Sequence, residues 1–520
     1  MTKSKEGLSR RDFLGYGAAT LAAASATELL AACARGPVRP DGAGVGGGSI
    51  GYFARFGIDE KAIREALAAA LGRGGDYAEL YFQHRITDYV GLEDGEVNRA
   101  STRVELGVGV RVLKGDQTGY AYTEELVLDS IKRAAATAAA IADGPATAAP
   151  ATFRVEGRLP QRYLAKQRWE EVKPAQKLPI LTEINQKAFA RDPRVRKVNC
   201  SLGNEAGVVL IADSLGRLVE DVQPMTDLSL SIVAEKDGRR ETGWASKAGR
   251  AGFEFYTPQL VAETLDQALS RTLILFDAVP APVGEMPVVL GSGSSGVLLH
   301  EAIGHGMEAD FNRKGISIYA GMVGKTVAKD YVTIVDDGSL DNGRGSINVD
   351  DEGQVAGRTV LVDKGVLATY MHDVISSKHY QVAPTGNGRR QSYSFPPVPR
   401  MRATYMLNGP HKAPEVIASV KKGLFCENIG NGQVQIGAGD FSFYVTNGYL
   451  IEDGKLTRPI KDVNLIGNGP KVLEKIDLVA DDLKVENSAG YCGKDGQRVP
   501  VSFGMPTLRV ASITVGGRKS

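Results

Sequence analysis

Two histidines and a glutamate stand together in the run His300-Glu301-Ala302-Ile303-Gly304-His305, inside an otherwise apolar stretch. Such groups are costly to bury without a partner. A divalent metal is the partner their chemistry fits, and two imidazoles beside a carboxylate point to zinc. The carboxylate then has a task of its own. A glutamate next to a zinc ligand can act as general base toward the water that hydrolyses a peptide bond.

The spacing departs from the usual zinc-peptidase pattern H-E-x-x-H, which sets two histidines one turn apart on one helix face. Here one further residue intervenes. On a regular α-helix five residues turn about 500°, leaving the imidazoles roughly 140° apart around the axis. One wide, π-type turn realigns them. The spacing therefore predicts a local helix defect between the histidines, eased by Gly304 and Gly306.

A catalytic zinc takes three protein ligands and keeps one open position. Candidates for the third ligand are Cys492, Cys426, His372, His379 and His411. Cys492 sits in Gly490-Tyr491-Cys492-Gly493-Lys494, read as an accessible, glycine-flanked loop where a nearby cation favours thiolate. Cys426 has a more apolar setting that reads as packing. Residue chemistry leans to Cys492 and leaves the others open. Glu308 and Asp310 are candidate acceptors for the imidazole N–H groups, or else the solvated end of the helix. Arg389, Arg390 and Arg400 are candidates for orienting a substrate carboxylate or carbonyl. Structural ion pairing is their plainer alternative.

The elements that must position these groups follow from pattern. Residues 287–290 read as a short apolar strand, 291–296 as a Gly/Ser turn, and the next residues as a helix with Ser294 or Ser295 as N-cap. The turn also fits G-x-G-x-x-G. The strand-rich chain downstream lacks the alternating βαβ units of a dinucleotide fold. No G-x-S-x-G elbow occurs in this stretch. Upstream, helices are expected at 59–71, 126–142, 173–190 and 257–276. Strands are expected at 76–83, 88–102, 104–113, 195–211 and 217–234. His84 and Cys200 fall within strand patterns and read as structural.

The fold class expected is α+β. An N-terminal domain of antiparallel sheet with helices (50–278) precedes a mainly-β C-terminal domain around the metal-binding helix (283–520). The uncharged, proline-bearing run between them reads as a boundary. At 520 residues, two domains are the simplest division. Lys+Arg 62 against Asp+Glu 61 leaves a net charge near zero, and nothing suggests the basic stripe that a nucleic-acid partner usually needs. Four cysteines without a CxxC pair do not make a disulfide framework.

Residues 1–33 read as a signal. Arg10-Arg11 open a twin-arginine pattern, and an uncharged, alanine-rich run follows. Leu30-Ala31-Ala32-Cys33 resembles a lipoprotein signal in which Cys33 becomes lipidated and anchors the chain to a membrane. Residues 34–49 read as a flexible Gly/Pro linker. The expectation is twin-arginine export to the periplasm, with or without the lipid anchor.

The second half resembles the TldD/PmbA family of metallopeptidases, in its catalytic TldD-like branch. The resemblance is carried in order by residues 300–315, 335–338, 350–353, 384–390, 399–401, 432–434, 490–497 and 499–501. It implies one zinc per chain held by His300, His305 and Cys492, with Glu301 as general base. It implies short or unfolded peptides as substrates. It also implies a dimer, either of this chain or with a PmbA/TldE-like relative that lacks the H-E-x-x-x-H motif. The export signal departs from the cytosolic pattern associated with the family.

Two rival readings remain. One is a non-catalytic, lipid-anchored protein of the same fold that binds a peptide or partner. The intact Glu301 argues against it, because a purely structural site needs no such carboxylate. The other is a zinc amidase acting on cell-envelope peptides, which a panel of linear and cross-linked peptides distinguishes.

Overall fold

The computed structural model describes residues 51–155 and 159–517. The expectations for the signal, the 34–49 linker and Cys33 lie outside these residues. What is described is a mixed α+β structure rich in sheet.

The first half is built on long antiparallel strands. β1 (Tyr77–Glu93) and β2 (Glu96–Lys114) pair from Tyr77↔Leu113 to Glu93↔Glu96. Asp94 and Gly95, with φ of 50° and 91°, form the two-residue turn. Positive φ at both positions is what such a hairpin turn requires. The sequence pattern divides this hairpin into three shorter strands with a Glu-Asp-Gly turn between the last two, whereas the turn falls inside the expected 88–102 strand. Nothing between the expected strands breaks the ladder, because Arg85, Ile86 and Thr87 stay paired with Glu105, Val104 and Arg103.

β3 (Gln117–Thr123) follows, then β4 (Arg154–Val155), β5 (Val195–Asp213), β6 (Arg217–Lys236) and β7 (Arg239–Gly249). Among the described residues they form one sheet in the order β3-β2-β1-β5-β6-β4, with β7 also on β6. Helices cover the two ends of this sheet. α1 (Glu60–Leu71) starts at Asp59, whose carboxylate accepts the Ala62 N–H at 2.7 Å. With α2 (Leu128–Ala139) it buries Ile63, Leu67 and Ile131 against Phe82 and Val108. α3 (Pro174–Arg191) and α4 (Pro258–Leu273) close a separate cluster, Leu181, Ile184 and Leu265 against Leu202 and Ile232. His84 and Cys200 lie inside this scaffold. His84 Nδ1 meets the Tyr52 hydroxyl at 2.7 Å, and the buried Cys200 thiol faces the Leu181 carbonyl at 3.6 Å.

The second half places the histidine motif between sheets. Strand Gly284–Leu290 lies between Lys422–Gln435 and Leu508–Gly517 in an eight-stranded sheet. A six-stranded sheet contains Ile334–Asp337, Ala403–Met406 and Ser502–Met505. The segment that follows Leu290 buries Leu298, Leu299, Ile303 and Met307 in one core with Val288, Phe443, Leu465 and Val510. Each such side chain contributes roughly 1.5–3 kcal/mol on full burial. That packing fixes where the histidines point.

Candidate metal centre

The chain enters the site through a tight turn. Gly293 has φ 85°, and residues 294–296 make one 3₁₀ turn before Val297–Leu299 begins the helix. Neither serine caps it. Ser294 Oγ donates to the Glu427 carbonyl and Ser295 Oγ to the Cys426 carbonyl, so both hydroxyls tie the turn to the neighbouring strand. The N-cap expectation fails because the turn is pressed against that strand.

His300–Gly304 winds as a π-helix, and the His305 N–H donates to the His300 carbonyl five residues back. This is the wide turn that the motif spacing requires. It brings the two imidazoles to 5.2 Å between ring centroids, with planes at 84°. Cys492 arrives from the other end of the chain, its Sγ 3.4 Å from His305 Nε2. One ligand atom from each of His300, His305 and Cys492 lies within 4.8 Å of the other two. A zinc ion with bonds of about 2.0–2.3 Å fits inside such a triangle after small side-chain adjustments.

The expected accessible loop around Cys492 is instead a hairpin, Tyr491–Lys494 paired with Gln497–Pro500. Cys492 is 3% exposed, and its alternation along the strand turns the thiol inward. Burial pushes the thiol up, but the facing His300 and His305 outweigh it and hold Cys492 well below the usual thiol range. His305 shows the reciprocal effect. Burial lowers it, yet Glu308 and Cys492 together raise it well above the usual imidazole range. The cluster thus favours a thiolate, which is the ligand form.

Two further observations bear on a metal. His300 Nδ1 is buried with no hydrogen-bond partner among the described residues. His305 Nδ1 donates to Glu308 Oε2 at 3.0 Å, which leaves Nε2 directed at Cys492. Glu308 is fully buried. Burial raises its carboxyl, but Lys494, His305 and Arg400 prevail and hold it at about 2. The donor set, an orphaned buried nitrogen beside a thiolate and an oriented imidazole, fits zinc.

Glu301 is the accessible member of the cluster. Its side chain is 24% exposed, with Oε2 3.7 Å from His305 Nε2. Asp310 meets no imidazole; it accepts from Lys494 Nζ at 2.7 Å, and Lys494 also reaches Glu308 at 3.1 Å. Arg400 donates to the Cys492 carbonyl at 2.5 Å and lies 3.9 Å from Glu308, so it steadies the hairpin. Arg389 donates to the carbonyls of Met401 and Pro500, and Arg390 pairs with Glu79. Cys426, His372, His379 and His411 are not part of the cluster. Lys494 has a readable signal, since two residues after Cys492 on a strand is the same face.

Three profiles of one family match the chain: "PmbA/TldA metallopeptidase domain 1" at residues 78–142, "central domain" at 167–272 and "C-terminal domain" at 283–517. The chain is 41% identical to a protein of Haemophilus influenzae named metalloprotease TldD homolog, over 86% of this chain and 94% of that one. It is 35% identical to a Saccharolobus solfataricus protein named zinc metalloprotease TldD homolog, over 45% of this chain and 52% of that one. In fold it is similar to TldE from Thermococcus kodakarensis, with a TM-score of 0.67 at 19% identity over 88% of this chain and 99% of that one. With a π-turn that aligns two histidines, a cysteine opposite them and matched domains along the chain, this protein belongs to the TldD/PmbA family of metallopeptidases.

Proposed function

We propose that the protein is a zinc-dependent peptidase that cleaves short or unfolded peptides. One ion per chain would be held by His300, His305 and Cys492. The observation that carries this reading is the convergence of those three ligand atoms within 4.8 Å, with Glu301 on their exposed side. When bound, zinc supplies a Lewis acid that brings the pKa of a coordinated water to about 7.

The chain's own residues do the rest. Glu301 takes the proton of the attacking water and returns it to the leaving nitrogen. Glu308, held ionised by Lys494 and Arg400, keeps His305 in the tautomer that leaves Nε2 free. Arg400 anchors the Cys492 backbone, so the thiolate cannot swing away. Edge strands near the site can hold an extended peptide by backbone pairing, which tolerates many sequences.

The fold shared with TldE supports pairing with a PmbA/TldE-like chain, or of two copies of this one. The Arg10-Arg11 and Leu30–Cys33 patterns support export through the twin-arginine route and anchoring through Cys33.

The test compares the wild-type chain with Glu301→Gln. Both are expected to hold about one zinc per chain, while the variant loses cleavage of an unstructured peptide by at least ~100-fold. Wild-type cleavage by the variant would overturn the role of Glu301, and a metal-free active wild type would overturn the site.

A further inference from the structure

A cleft between the long N-terminal strands and the Cys492 hairpin holds an excess of positive charge. Its volume is about 280 Å³, and six arginines and three carboxylates line it. Most of these charges have partners. Glu105 is taken by Arg85 at 2.6 Å and Arg103 at 2.7 Å, and Glu205 lies 3.9 Å from Arg85. Asp351 accepts the Arg390 backbone N–H at 2.8 Å and the Tyr81 hydroxyl at 3.3 Å.

Arg250 has no such partner. It is 4% exposed, and its Nε is buried without a hydrogen-bond acceptor among the described residues. The guanidinium rests 5.2 Å from the Tyr163 ring centroid and forms no ion pair there. Asp221, the acid near it, is engaged by Tyr163, Asn348 and Gln223. Beside Arg250 stands Arg389, which donates only to neutral carbonyls. Burial, and behind it the nearby Arg250 and Arg400, bring Arg389 down to about 10 despite the pull of Asp351. Two buried guanidiniums that line one cleft, neither hydrogen-bonded to a carboxylate among the described residues, gain from an added anion.

The anion's class follows from the walls. Carboxylates line the same cleft and repel a dianion more than a monoanion. The guanidinium fork matches a planar carboxylate. The place follows from the hairpin. Tyr491 and Pro500 border the cleft and pair with each other, one step along the ladder from Cys492↔Val499. Strand residues alternate in facing, so Tyr491, Arg498 and Pro500 present the cleft on the hairpin face opposite Cys492, and a peptide that spans the metal centre and the cleft passes the edge of this hairpin.

We propose that the cleft is a carboxylate-binding subsite for peptide substrates, with Arg250 as its anchoring cation and Arg389 beside it. The identity of the ligand rests on the peptidase reading; the affinity for a carboxylate rests on the cleft alone. The carboxylate can come from a peptide C-terminus or from an acidic side chain.

The experiment is calorimetric binding to the full chain, with no turnover required. The probe is an N-methylated alanine tripeptide, which resists cleavage, as free acid, as C-terminal amide, and as an amide bearing glutamate at the last position. The free acid is expected to bind about tenfold more tightly than the plain amide. Arg250→Gln should remove that difference without weakening the amide, and Arg250→Lys should restore part of it. Tight binding of the glutamate amide as well would place side-chain carboxylates among the ligands. Equal binding of acid and amide to the wild type, or a preference that survives Arg250→Gln, overturns the proposal. A carboxylate preference in a chain that cleaves nothing leaves the subsite standing and sinks the peptidase reading instead.

Discussion

Glu308 decides how firmly His305 is aimed. It lies three residues after the histidine, accepts its Nδ1–H at 3.0 Å and is itself held by Lys494 at 3.1 Å. Replacing it with glutamine keeps an acceptor in place but removes the charge that fixes the imidazole tautomer. Glu308→Gln is expected to weaken zinc binding about 10–100-fold, read by competition with a chelator. Unchanged affinity would remove Glu308 from the centre. At this scale much was legible. His300, Glu301 and His305 announce themselves by type and spacing, and Glu308 by its position one turn on. Cys492 was one of five candidates, because nothing local tells which distant strand a helix will face. Arg250 carried no signal at all. Its meaning comes from having no partner, a property of the folded surroundings and not of its neighbours in the chain.

The π-turn is the element on which the site depends, and its glycine shows why. A Cβ on Gly304 would stand 2.0 Å from Met401 Sδ, and Met401 is wholly buried. Gly304→Ala must push that side chain or the turn itself, at a cost of about 1–3 kcal/mol. The expected outcome is a lower melting temperature together with reduced zinc occupancy, since the turn carries both ligands. Truncating the obstacle should restore occupancy in Gly304→Ala/Met401→Ala, although the double variant keeps some loss of packing. If the double variant binds zinc no better than the single one, the clash is not what couples the glycine to the site. The defect itself could be read from the sequence because five residues cannot return to one helix face without it. The Cys492 hairpin was misread as an open loop. Its glycines are indeed open to solvent, but the strand alternates, so Cys492 and Lys494 turn inward while Tyr491 and Gly493 face out.

At the scale of the whole molecule the two halves are joined through buried charge. Arg111 on β2 is fully buried and bonds Glu79 on β1 at 2.7 Å and Glu352 from the second half at 2.6 Å. Arg390 pairs with Glu79 as well, and the Val374 N–H donates to Glu352 at 2.8 Å. No sequence pattern foretells this network, because its members are up to 311 positions apart and each looks like a surface charge. Burial raises Glu352 well above the ordinary carboxylate range despite Arg111, while Glu79 is held below it by Arg111 and Arg390 against burial. Arg111→Met removes one cation and leaves the carboxylates facing each other, at a cost of about 3–5 kcal/mol near neutral pH. The sign of the pH dependence follows. Loss of Arg111 raises the folded-state pKa of Glu79 from below the unfolded value of about 4.3 and that of Glu352 further above it, so the folded variant holds protons that the folded wild type has released. Its stability relative to the wild type then falls as pH rises above that value and recovers as pH falls and the pair protonates. Melting curves of both proteins at about pH 5 and about pH 8 should therefore show the smaller gap at the acid end. An equal or larger gap there would mean that Arg111 holds the halves together by packing and not by charge.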